Sequence, residues 1–79
     1  MVQDWNFTLV LPPKVKLTGD LVNMLFQAGC DDSTPSRRGG RTLITFSRMA
    51  ETYAEAVDSA LSDVRKVVPL GTIEEEPAD

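Results

Sequence analysis

Histidine is missing altogether, and cysteine occurs once in 79 residues. Without histidine the chain lacks the usual general base, the commonest metal ligand and every Ser–His or Cys–His pairing. Cys30 has no companion for an internal disulfide, a zinc site or an iron–sulfur cluster. Asp31 and Asp32 beside it would raise a thiol's pKa, so a structural cysteine at a helix end is expected rather than a nucleophile. Long apolar runs are also missing: none approaches the roughly 18–20 residues of a membrane span. Met1-Val2-Gln3-Asp4-Trp5 has no basic region followed by an apolar core, so neither a signal peptide nor a membrane partner is expected. With no disulfide, a reducing, cytoplasmic setting fits.

Two further absences narrow the chemistry. Asp31-Asp32 are adjacent acids without the further oxygen ligands of a calcium loop, so they read as solvated edge charges, and no metal or cofactor is expected. No glycine-rich anion loop with an arginine follows the first apolar run, as an acylphosphatase-type enzyme would require. The chain is therefore expected not to be an enzyme.

What is present suits one small domain over residues 1–79, with 42% hydrophobic and 25% charged residues. A chain this short buries only about 60–65% of its unfolded surface, so a partner could add to its stability. Charge is uneven. Residues 1–50 carry six basic groups (Lys14, Lys16, Arg37, Arg38, Arg41, Arg48) against four acids, a net +2. Residues 51–79 carry eight acids against Arg65 and Lys66, a net −6. A nucleic-acid binder usually shows the opposite excess.

The strongest periodic signal lies between Thr52 and Val68. Tyr53, Val57, Ala60, Leu61, Val64 and Val68 repeat at helical spacing. Thr52 and Glu55 form a capping box ahead of them, and Arg65 and Lys66 suit the negative end of the helix dipole. Upstream, Trp5, Phe7, Leu9 and Leu11 alternate with polar residues, which predicts a half-buried strand ended by Pro12-Pro13. Thr18 is a plausible cap for a helix over about 19–28, with Leu21, Met24, Leu25 and Ala28 as its buried stripe, Val22 and Phe26 beside it, and Gly29 as its stop.

Cys30 to Thr34 reads as a short polar edge strand, Arg37-Arg38-Gly39-Gly40 as a hairpin turn, and Arg41 to Ser47 as a strand with Ile44 and Phe46 inward. Arg48 to Glu51 reads as a connection, residues 72–76 as a last edge strand and residues 77–79 as a tail. The order β-α-β-β-α-β with right-handed crossovers predicts an α+β, ferredoxin-like two-layer sandwich: an antiparallel sheet, two helices on one face, and the strands at 4–11 and 41–47 in the middle.

Several phrases resemble the amino-terminal domain of a prokaryotic family of antitoxin-like helix-turn-helix regulators. They are Trp5 to Leu11, Leu25-Phe26-Gln27-Ala28-Gly29-Cys30-Asp31-Asp32 with Thr34-Pro35, Phe46 to Arg48, Glu55-Ala56-Val57, Ser59-Ala60, Asp63-Val64 and Glu76-Pro77. In that family a DNA-reading helix-turn-helix follows this point. This sequence runs to Asp79 without one, so the resemblance implies a related domain without the DNA-reading function. It supplies no catalytic residue.

Two surfaces are candidates for binding. Lys14 and Lys16 with a basic hairpin of Arg37, Arg38 and Arg41 are the only basic clusters. Bases would need aromatic platforms on the open sheet face, where Asn6, Thr8, Val10, Thr45 and Ser47 are expected instead, so direct nucleic-acid binding is not expected. The acids are more suggestive. Glu51, Glu55, Asp58 and Asp63 run up the polar side of the second helix, and Glu74, Glu75 and Glu76 follow it. Carboxylates at i, i+4 and i+7 stand about 6 and 10 Å apart, near the spacing of phosphates. Two partner classes follow. The first is another protein or a second copy, docked on the edge at 72–76 or on the open face around Val10 and Leu43, as for a regulator or antitoxin-like domain. The second is a basic site on a nucleic-acid-handling protein, blocked by a phage-type acidic mimic of the anti-CRISPR kind.

Overall fold

The computed structural model describes residues 1–69 and 71–77. Its elements are β1 (Gln3–Val10), α1 (Gly19–Gln27), β2 (Ser33–Arg38), β3 (Arg41–Ala50), α2 (Tyr53–Arg65) and β4 (Glu74–Pro77). The four strands make one antiparallel sheet in the order β2-β3-β1-β4, so β1 and β3 are central as expected.

β1 alternates as its sequence predicts. Phe7, Leu9 and Leu11 are fully buried, and with Ile44 and Phe46 of β3 they form the platform on which the helices sit. Leu21 and Leu25 of α1 and Ala56, Val57, Ala60 and Val64 of α2 join the same core. Trp5 borders it, donating from its indole N–H to the Ala50 carbonyl at 3.0 Å. Tyr53 packs edge-on against both Trp5 and Phe7, at centroid distances of 6.0 and 5.9 Å. Both helices start where capping chemistry places them: the Thr18 hydroxyl accepts the Leu21 amide at 3.1 Å, and Thr52 accepts that of Glu55 at 3.2 Å.

Several boundaries differ from expectation. α2 closes at Arg65, three residues early. Val67 and Val68 then both donate to the Val64 carbonyl in a tightened turn that keeps Val68 buried. Tyr53 and Leu61 are half-buried, and Ala56, outside the expected stripe, is fully buried. On α1 only Leu21 and Leu25 are buried; Met24 and Phe26 are 48% and 53% exposed, one on each flank of the buried direction. The helix offers a narrow stripe because two layers leave its shoulders in water.

β2 begins at Ser33 rather than Cys30, and its turn shrinks to Gly39-Gly40, both at positive φ. Cys30 instead closes α1, its amide on the Leu25 carbonyl at 2.9 Å and its side chain in the core. β3 runs on to Ala50, which takes Arg48 out of the expected connection and into the sheet. β4 starts two residues later and ends one later than the expected 72–76, and of the expected tail, Ala78 and Asp79 lie outside the described residues.

Before β4 the chain turns at Gly71, with φ +98°. The Arg65 guanidinium donates to the Gly71 carbonyl at 2.8 Å, and a β-carbon built on Gly71 would stand 2.6 Å from the Pro12 ring. Gly71→Ala therefore combines an unfavourable φ with a clash. The expected loss is about 1–2 kcal/mol of stability, read from urea unfolding.

Candidate functional site

The most heavily bonded side chain is one the sequence reading left in a connection. Arg48 occupies an inward position of β3, in step with Ile44 and Phe46, and only 10% of its side chain is exposed. Its Nε and Nη2 donate to the two Asp32 carboxylate oxygens at 2.8 and 2.9 Å, a bidentate pair. Nη2 also donates to the Gly29 carbonyl at 3.0 Å, while Nη1 donates to Asp63 at 3.0 Å and to the Ser59 hydroxyl at 3.2 Å. All five guanidinium N–H groups are thus used. The ring of Phe46 lies under the same guanidinium, 5.0 Å from its centre.

The hydrogen bonds that Arg48 donates to Asp32, reinforced by Asp63, outweigh burial and push the Arg48 pKa up. Gly29 has to be glycine here: its φ is +107°, and a β-carbon would meet the Asp63 carboxylate at 3.0 Å. This cluster ties the end of α1, the start of β2, the sheet and α2 to one cation. Every donor is spent on the protein itself, so its chemistry is structural.

Cys30 lies fully buried within this neighbourhood. Burial first, and then the Asp63 carboxylate, push its thiol up from 9.0 to about 11, against a smaller opposing effect of Arg48. Asp32 and Asp31 also raise it, as expected, but by less than burial and Asp63 do. The folded protein should therefore react with a thiol reagent at pH 8 only as fast as it unfolds, with full labelling in denaturant. The linkage has a sign. Because the folded pKa is the higher one, the neutral thiol's contribution is complete below pH 9 and is lost as pH rises through about 11.

The seven carboxylates proposed as an acidic surface do not stay together. Asp63 turns inward to Arg48 and takes Lys66 on its other oxygen at 3.3 Å. Glu74 and Glu76 project onto the open sheet face, where Arg41 meets Glu74 at 3.4 Å and Arg38 meets Glu76 at 3.0 Å. Glu75 points to the helix side and accepts the Tyr53 hydroxyl. Burial, with help from Glu75, pushes that phenol up to about 12, so it stays a donor. Glu51, Glu55 and Asp58 remain exposed around the start of α2.

The basic hairpin divides too. Arg37 is exposed on the helix side of the sheet, whereas Arg38 and Arg41 face the open side. Arg41 also donates twice to the Leu11 carbonyl, at 3.0 and 2.8 Å. The open face around Val10 and Leu43 is not available as an apolar contact patch. Arg38 reaches across the sheet from β2 to Glu76 of β4, and Val10 and Leu43 on the strands between are only 6% and 4% exposed.

Besides an apolar hollow lined by Pro12, Val15, Leu21 and Val68 and the exposed Met24, Phe26 and Met49, the fold offers another molecule an edge. β4 is hydrogen-bonded to β1 on one side and is the last strand of the sheet on the other. The opposite edge, β2, contains Pro35, which lacks an amide. β4 presents the backbone of three consecutive glutamates, all exposed. Among the described residues no helix is long and apolar enough to cross a membrane. No known family matches the chain, and neither a curated protein nor a solved structure is significantly similar to it.

Proposed function

We propose that this chain is a non-catalytic protein-binding module with the ferredoxin-like βαββαβ arrangement, a stand-alone relative of the amino-terminal domains of antitoxin-like helix-turn-helix regulators. The observed element order and the strand order β2-β3-β1-β4 support the arrangement, and one core shared by both helices supports placing them on a single sheet face. The observation that carries the binding role is β4, an exposed outer strand whose backbone has a partner on one side only. An extended segment of another protein would add there as a fifth strand, its amides and carbonyls pairing with those of β4. Basic side chains on that segment would complement the glutamates.

A second reading, the acidic mimic that blocks a basic groove, draws support from the exposed Glu51, Glu55 and Asp58. It has less to work with, because the other four carboxylates are engaged within the fold. Affinity capture at low salt and again at about 1 M salt, where charges are screened beyond about 3 Å, separates the two. Edge pairing predicts a partner that survives high salt and tolerates a combined Glu51→Gln, Glu55→Gln, Asp58→Asn variant. A partner lost under both conditions would replace edge binding with mimicry.

A further inference from the structure

β4, like β2, has no described side chain that is buried. Each of its three glutamates is fixed by one polar group from a different element: Glu74 by Arg41 of β3, Glu75 by Tyr53 of α2 and Glu76 by Arg38 of β2. Exposed ion pairs of this kind add little stability, and over Glu74–Glu76 the strand has no apolar side chain, Ile73 just before it packing against the core. The edge of β1 over Phe7–Val10, with Arg38, Arg41 and Tyr53 around it, is thus a receptor for a short acidic strand, and β4 fills it from the same chain.

We propose that this receptor also takes the β4 of a second copy of the chain, so that two molecules exchange their last strands reciprocally. The occupant is set by chemistry already present: the segment that matches two arginines and a phenol at this spacing is Glu74-Glu75-Glu76. Reciprocal exchange replaces each contact with an identical one, which makes it a low-cost route to a twofold dimer. Between Val68, which stays in the core, and β4 lie residues 69–73, five residues that reach about 17 Å when extended. In the closed form that link is bent at Gly71 against Pro12, a turn that glycine makes freely and that any other residue would strain, a strain that opening would relieve. This exchange is independent of the partner class proposed above.

The test uses the full chain. Isotope-labelled and unlabelled protein are unfolded together, refolded at about millimolar concentration and examined for magnetisation transfer between copies. Contacts between Leu9 of one copy and Glu75 of the other, which are register partners, are expected in the dimer fraction. Gly71→Ala, by straining the closed turn, should raise that fraction about fivefold or more. The unmodified protein provides the readout should that variant fold poorly. A chain that stays monomeric in these experiments, or a dimer whose intermolecular contacts lie elsewhere, overturns the proposal.

Discussion

Phe46→Ala is expected to remove about 3–5 kcal/mol of stability, enough to leave a domain of this size largely unfolded at room temperature. Phe46 has no exposed surface, and its ring is stacked on Phe7 at a centroid distance of 5.4 Å and an interplanar angle of 14°. The Arg48 guanidinium also lies over the Phe46 ring. Truncation therefore opens a cavity at the centre of the platform and takes away the surface on which the buried cation rests. Urea unfolding followed by Trp5 fluorescence measures the loss. Phe46→Leu keeps most of the apolar volume and should lose less than half as much.

Arg48→Ala comes next, with an expected loss of about 3 kcal/mol. The side chain itself would be missed less than its partners' satisfaction. Asp32 and Asp63, with 31% and 22% of their side chains exposed, would keep their charge without the cation that justifies their position. Their partial access to water holds the figure at the low end of that for a broken buried pair. Arg48→Lys should recover only part of the loss, because an ammonium cannot reproduce the bidentate fork onto Asp32 or reach four acceptors at once. A combined Asp32→Asn, Asp63→Asn, Arg48→Met variant should be more stable than Arg48→Ala alone, since it removes the stranded charges together with the cation. Thermal unfolding would show each kcal/mol as a shift of about 4–8 °C.

These two sites show where sequence reasoning succeeds and where it stops. The platform was legible because Trp5, Phe7, Leu9 and Leu11 keep a period of two and the helix stripe keeps its own, and both patterns report burial directly. Thr18 and Thr52 were legible because an N-cap acts within three residues of itself. Arg48 was not, although a signal existed: extending the inward alternation of Ile44 and Phe46 by two residues lands on it. A charged residue in that step reads as the end of a strand unless its acids are known to be near. Asp32 and Asp63 reach it across 16 and 15 residues of chain, and no local pattern announces such a meeting. The way the acids are distributed was illegible for the same reason. Counting carboxylates along a helix and a strand cannot show that Asp63 turns inward, that Glu74 and Glu76 meet arginines from the hairpin, or that Glu75 sits under a phenol.

Those pairings move the functional weight from charge to the backbone edge. Among the described residues, Glu51, Glu55 and Asp58 are the members of the acidic surface that keep their charge free of the arginines and the Tyr53 phenol, and the open face is strapped by Arg38. Hydrogen exchange on the 79-residue chain, alone and bound to the partner captured at high salt, tests the account most directly. Slowed exchange at the amides of Glu74, Glu75 and Glu76, with the first turn of α2 unchanged, is the predicted result. Protection confined to Glu51–Asp58, with β4 exchanging as it does in the free protein, would contradict it.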